Sequence, residues 1–403
     1  MKSIIFIGVL VGIWLFVAGV QSCSRNNTPI KIGILHSLTG TMAFSEKPLV
    51  NAVMLGVDEI NAAGGVLGRE VQAIVVDGQS DDKVFAQEAE RLIVEEKVSV
   101  IFGCWTSTCR KAVKPVVEKY AHLLFYPVQY EGLESSRNIV YTGAVPNQQI
   151  IPSIAWIFQN LGKRFYLIGS DYVYPRTANL IVKDIVKAQG GTILAERYIP
   201  LGTRDVQTVV TEIGKLQPDV VINTINGDSN IAFFKALNQL KDIPVFSFSL
   251  AEAEVNNIGR EVMVGHYAAW NYFQSIQRPE NQQFIQNYKA RYGASKLIDD
   301  PMEASYIGVH LWARAISQAR STIPDRLINV LGKQSINAPE GIVSIDQSTL
   351  HLWKKTRIGR IQEDGQFEIV WSSPEPIRPV PFPTYRSESE WRNIIKTLNV
   401  VAY

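Results

Sequence analysis

"VSVIFGCWTSTCRKAVKPVVEKY" (98–120) passes from an apolar run into a small, polar, tryptophan-bearing corner and then into a helical pattern. An apolar run without polar alternation reads as a strand buried on both faces, which is the signature of a parallel sheet. A strand that turns directly into a helix is half of a βαβ unit. Upstream, "IKIGILHS" (30–37) reads as a strand, and Val50, Val53, Met54, Val57 and Ile60 recur at helical spacing over about 46–62 before Gly64-Gly65 stops them. "VQAIVVD" (71–77) is the next strand, "KVFAQEAERLIVEEK" (83–97) the next helix, and "HLLFYP" (122–127) a fourth strand. The rhythm restarts near Pro146: "RFYLIGS" (164–170), "TILAERYI" (192–199), "DVVINTI" (219–225) and "PVFSFS" (244–249) are strands with helices between them. The same supersecondary order used twice predicts an α/β protein of two similar lobes built on parallel sheets. After "VGHYAAWNYF" (264–273) come helices over about 279–292 and 301–320, then short strands from about Glu340, with a hairpin turn at Asp364-Gly365. "SSPEPIRPVPFP" (372–383) is too rich in proline for regular structure and is expected to lie extended on the surface.

A chain of 403 residues is long for one core, so two domains are the natural expectation. Forty basic against 38 acidic residues leave a formal charge of +2, which gives no electrostatic reason to bind nucleic acid. The N-terminus has one cation, Lys2, then an apolar run from Ile4 to Val20 and then Gln21-Ser22-Cys23. This is the pattern of an export signal, and it resembles a bacterial lipobox. Residues 1–22 are therefore read as a lipoprotein signal peptide and Cys23 as the lipidated first residue of an extracytoplasmic, membrane-tethered protein. The alternatives are an uncleaved anchor or plain secretion.

In open α/β sheets ligands bind beyond the carboxyl ends of the strands. The loops there contain Trp105, Thr106, Ser107, Tyr126, Gln129, Tyr130, Tyr172, Tyr174, Asn226, Asp228, Glu252 and Glu254. Aromatics mixed with neutral polar groups and a few carboxylates suit a small, planar, polar ligand. Catalytic patterns are missing: there is no G-x-S-x-G elbow, and "GDSN" (227–230) lacks a late Asp-x-x-His. No CxxC, HExxH, EF-hand, Walker or G-x-G-x-x-G pattern is present, so neither metal nor cofactor is expected. Cys104 ends a strand and Cys109 falls in a first helical turn, so the reading favours two free, semi-buried thiols over a disulfide.

"GCWTSTCRKAVKPVVE", "LLFYPVQYEG", "TGAVPNQQ", "GSDYVYPR", "TINGDSN", "GHYAAWNYFQS", "DPMEASYIG" and "GQFEIVWSSPEPIRP" resemble the urea-binding receptors of bacterial ABC transporters, and with them the short-chain amide receptors and amide sensors of the type I periplasmic-binding family. The resemblance spans about Lys31 to Pro383. It implies a non-enzymatic protein with the type I periplasmic-binding fold, two doubly wound parallel-sheet lobes joined by three crossovers. Lobe one would be 28–145 and 272–338, and lobe two 146–271 and 339–403. The implied partners are urea or another small neutral amide and the permease subunits. The donors for the urea carbonyl would be Ser107 and the main-chain N–H groups of 106–109, at a helix N-terminus where such groups are free. Asp228 and Glu252 would accept the urea N–H groups, and Gln129 could serve either way. Trp105, Tyr126 and Tyr172 would wall in the plane, with Thr106 beside them. An amino-acid receptor must neutralise an ammonium and a carboxylate, and these loops offer few cations, Arg110 and Arg176 being the nearest.

Overall fold

A computed structural model describes residues 28–401, so the expected signal peptide, residues 1–22, and the expected lipidation site, Cys23, lie outside the described residues. The first stretch alternates β1 (Ile30–His36), α1 (Ala43–Ala62), β2 (Val71–Asp77), α2 (Asp82–Val94), β3 (Ile101–Gly103), α3 (Ser107–Lys119), β4 (Leu124–Tyr126) and β5 (Ile139–Tyr141). These strands form one parallel sheet in the order β2-β1-β3-β4-β5. Alternate side chains leave the sheet on opposite faces. Leu35 and Ile101 therefore join one core with α2 and α3 residues, while Ile34 and Phe102 join another with α1.

The second stretch runs α4 (Ile150–Asn160), β6 (Arg164–Ser170), α5 (Val173–Ala188), β7 (Thr192–Ile199), α6 (Gln207–Leu216), β8 (Val220–Thr224), α7 (Ser229–Leu237), β9 (Val245–Ser247), α8 (Glu252–Ile258), α9 (Arg260–Met263) and β10 (Tyr267–Trp270). The chain then returns to the first lobe as α10 (Pro279–Tyr292), α11 (Asp300–Ala319), α12 (Pro324–Leu331), β11 (Ser335–Ala338), β12 (Gly341–Ile345) and β13 (Leu352–Trp353). It crosses a third time into β14 (Arg357–Ile361), β15 (Phe367–Ser372) and α13 (Glu388–Val401). The second sheet has the order β15-β14-β10-β9-β8-β6-β7, parallel from β10 to β7, with β14 and β15 added antiparallel.

One boundary differs from the sequence reading. Residues 339–353 were expected in lobe two, but Val343, Ile345, Leu350 and Leu352 pack in the lobe-one core with Ile307, Trp312 and Leu327. The third crossing therefore falls at 354–356. Short strands give no sequence sign of which of two sheets they join; here β12 and β13 pair with β11 and not with β14.

The three crossings are lashed together by side chains that cap main-chain groups. Gln148 Nε2 donates to the carbonyls of Leu352 (2.7 Å) and Ile377 (2.8 Å), Thr356 Oγ1 donates to Gln148 O (2.6 Å), and Asn271 Nδ2 donates to Lys355 O (2.8 Å). The proline-rich stretch lies on the surface as expected at Ser372, Pro374, Glu375 and Arg378, but its end from Pro379 is embedded. Pro381 O accepts from Leu133 N at 2.8 Å, Val380 N donates to Asn147 Oδ1 at 2.9 Å, and Pro379, Pro381 and Pro383 are buried. Proline-rich segments have few main-chain donors, so their carbonyls are free to serve as anchors for neighbouring chain.

Candidate functional site

The corner after β3 is shaped by Gly103, whose φ of +154° and contact with the Leu35 carbonyl leave no room for a Cβ. Thr106 caps α3, its Oγ1 accepting from Cys109 N at 3.2 Å. The helix start thus folds back over the strand end. Cys104 and Cys109 come to a Cα separation of 6.5 Å and are joined in a disulfide. This corrects the expectation of two free thiols: strand and helix directions alone did not reveal how sharply the corner closes.

Beneath this corner lies Arg110, fully buried. Its Nη2 donates to Glu131 Oε1 (3.0 Å), its Nε to Glu134 Oε1 (3.0 Å) and its Nη1 to Ser107 Oγ (3.1 Å). The Ser107 hydroxyl proton goes to Glu131 Oε2. The guanidinium also lies over the rings of Tyr126 (4.8 Å) and Tyr130 (4.2 Å). Burial opposes its charge, but Glu134 and Glu131 hold it well above the ordinary arginine range. Burial likewise opposes ionisation of Glu134, yet Arg110 and Lys111 more than offset it and keep the carboxyl well below its usual range. Behind this set, Tyr141 stacks on His351 at 4.0 Å, and burial pushes that imidazole down to about 3. Ser107 and Arg110 share a helix face by their i, i+3 spacing; that spacing was the available signal for the pair. Glu131 and Glu134 come from another loop and had no such signal.

Trp105, Ser107, Tyr126, Gln129 and Tyr172 are brought together, and all are buried. Tyr126 OH donates to Trp105 O at 2.5 Å, so the phenol fixes the corner's backbone. Burial first, then the neighbouring Tyr174, Tyr126 and Glu131, raise the Tyr172 hydroxyl well above its ordinary value, so it stays neutral. The lobes meet here. Trp105 Nε1 reaches Asn226 Oδ1 at 3.5 Å, and Gln129 Nε2 donates to Phe248 O at 2.9 Å. Tyr174 OH and Gln149 Nε2 donate to the same carbonyl, both at 3.2 Å, which gives Tyr174 a structural task. Gln129 Oε1 is buried with no partner.

Two further expected residues open helices of the second lobe. Asp228 stands at the start of α7 without capping it, and its Oδ1 is buried and unpartnered on the side of Gly202. Glu252 begins α8 and accepts from Gln274 N at 2.7 Å, beside the second crossing. Burial and then Asp299 raise its carboxyl well above the ordinary range.

Two α/β lobes, three crossing segments and a polar aromatic floor where the lobes meet define a solute-binding protein. The chain belongs to the periplasmic binding protein family: the family model described as a periplasmic binding protein domain matches residues 30–388. It is similar to Leu/Ile/Val-binding protein homolog 8 of Brucella abortus (strain 2308), with 24% identity over 336 residues, 77% of this chain and 81% of that protein. The fold matches an R. palustris ABC-transporter solute-binding protein in complex with 4-hydroxybenzoate at a TM-score of 0.79 and 23% identity, covering 87% of this chain and 98% of that one. It also matches a branched-chain amino acid transporter substrate-binding protein from Streptococcus pneumoniae in complex with isoleucine (TM-score 0.77, 19% identity, 87% and 100% covered). A shorter likeness, 36% over 147 residues and 35% of this chain, is to a protein named limonene hydroxylase from Geobacillus stearothermophilus, of which the chain spans 27%. The homologues matched over most of the chain are solute-binding proteins of ABC transporters and not enzymes. The family works outside the cytoplasm, and no helix among the described residues is long and apolar enough to cross a membrane.

Proposed function

We propose that this protein captures urea between its lobes and hands it to an ABC permease, held at the membrane by a lipid on Cys23. The observation that carries the reading is the saturation of Arg110. Its guanidinium is already bonded to two carboxylates and a hydroxyl, so it has no charge to offer an anionic ligand. An amino acid or a benzoate would bring a carboxylate to a buried site without a free cation, at a cost of several kcal/mol (order of magnitude). Urea brings one carbonyl and four N–H donors. The main-chain N–H groups of Ser107 and Thr108, at the start of α3, have no intrahelical partner and suit the carbonyl. Gln129 Oε1 is a buried acceptor without a donor and suits an N–H group. Trp105, Tyr126 and Tyr172 supply flat walls. The Ser107 hydroxyl donates to Glu131 and acts by fixing that carboxylate, while Asp228 Oδ1 and Glu252 Oε2, buried without a partner, are further acceptors on the second lobe. The resemblance of eight sequence blocks to those of urea receptors supports the same ligand.

Calorimetric titration of the mature protein with urea, acetamide, formamide, leucine and 4-hydroxybenzoate tests the assignment. One-to-one binding of urea, with no ammonia released, is expected. Silence with urea together with heat from leucine or 4-hydroxybenzoate overturns it.

A further inference from the structure

Beside the second crossing the lobes press carboxylates against carboxylates. Glu252 and Glu254 open α8 in lobe two; Asp299 and Asp300 open α11 in lobe one; all four are buried. The lobes touch at this point, where Ser45 of α1 donates to Glu254 Oε1 at 3.2 Å, and Asp299 is near enough to Glu252 and Glu254 for each charge to oppose the other. Glu254 Oε2 accepts from Ala251 N (3.1 Å), Asp299 from Met302 N (3.1 Å), and Asp300 Oδ2 from the N–H groups of Asn271 (2.9 Å) and Tyr272 (2.8 Å). Glu252 Oε2 and Asp300 Oδ1 have no partner. Further along lie Glu303 and Glu340, and only at that end do cations enter. Lys354 Nζ pairs with Glu340 at 3.0 Å, and Arg357 bonds the carbonyls of Asn271 and Glu340. Tyr272 and Tyr288 face the cluster as neutral phenols, their hydroxyls raised by burial, and Lys47 and Lys296 stand on the exposed rim near α8. Six buried carboxylates thus share two buried cations. Like charges in a low-dielectric space cannot all ionise.

We infer that lobe closure takes up a proton at this hinge cluster, so that the solute is held more tightly in acid and released more readily as pH rises. Opening moves Glu252 and Glu254 away from Asp299 and Asp300 and lets water in; closing removes that water. With the lobes in contact through Ser45 and Glu254, as here, burial pushes Glu254 up to about 7, and burial and then Glu254 raise Asp299. Hydrated in the open form, Glu254 returns towards 4.5. A carboxyl whose closed-form pKa lies above its open-form value favours closure below the open value. It loses that advantage progressively as pH climbs to the closed value, and nothing further changes above it. The window is therefore about pH 4.5 to 7. One proton gives up to a tenfold change per pH unit there, so affinity should fall by roughly tenfold or more between about pH 5.5 and about 7.5.

The inference rests on the two-lobed binding reading but not on which solute is bound. The test is small-angle X-ray scattering of the ligand-free mature chain at both pH values, for the wild type and for Glu254→Gln combined with Asp299→Asn. The wild type should expand at the higher pH while the doubly neutralised variant stays compact at both. A wild-type radius that does not move, or a variant that moves with it, overturns the inference. Urea titration at about pH 6.5, in two buffers of different ionisation enthalpy, should show net proton uptake in the wild type, and identical heats would also overturn it. Absence of any urea heat instead removes the urea assignment and leaves the scattering result to decide the proton linkage.

Discussion

Arg110 is the residue on which the floor of the site is built. Removing its charge leaves Glu131 and Glu134 with Lys111 alone, at 3.6 and 3.3 Å, in a space with almost no solvent, so Arg110→Met should cost about 3 kcal/mol of stability by chemical denaturation. Neutralising both acids as well (R110M with E131Q and E134Q) should restore part of that loss, because the penalty comes from uncompensated charge rather than from missing volume. A triple variant no more stable than R110M would refute this account. In the proposed site Trp105 acts differently, as a wall. Trp105→Phe retains a ring and gives up one long hydrogen bond to Asn226 of 3.5 Å, which predicts a urea affinity within about threefold of wild type, since such a bond contributes less than about 1 kcal/mol. Trp105→Ala removes the wall, and calorimetry should find most urea binding gone.

At the scale of elements, the disulfide ties the end of β3 to the first turn of α3 across a sequence separation of five. A loop that short restrains the unfolded chain only modestly, so reduction should cost about 2 kcal/mol. Its larger effect should be on the corner that positions Trp105 and the free N–H groups. Dithiothreitol, or Cys104→Ser with Cys109→Ser, should therefore weaken urea binding more than it lowers the melting temperature. Equal affinity before and after reduction would remove the disulfide from the site. The C-terminal segment is a second positioning element. Pro381 O holds Leu133 N within the loop that carries Glu131 and Glu134, and Trp391 of α13, buried against the second lobe, donates to Pro383 O at 2.7 Å. Trp391→Ala should destabilise the fold by about 3–5 kcal/mol, read by denaturation, because it empties a site of large volume.

Across the whole molecule the lobes are joined by three short segments and meet through a few polar contacts, an arrangement suited to hinge closure around a solute. The alternation of strands and helices was legible because it depends on side-chain periodicity within each segment. The first strand and the helix over 279–292 appear as expected, at Ile30–His36 and Pro279–Tyr292. The loops after the strands were legible too, because chain direction alone fixes which ends of a parallel sheet face the ligand. Trp105, Tyr126, Gln129 and Tyr172 are all buried there. The assignment of 339–353 to a lobe was not legible, nor was the burial of Pro379, Pro381 and Pro383 at the end of the proline stretch, because both depend on which distant surface accepts a short segment. The sequence could name Arg110 as a nearby cation, but not that Glu131 and Glu134 saturate it. It could place Glu252 and Glu254 after a strand, but not that Asp299 and Asp300 wait across the hinge. Local pattern determines elements and their order through steric and hydrophobic periodicity. Charge balance at a buried site is a sum over residues distant in sequence, and only the folded chain brings them close enough for one charge to cancel or oppose another.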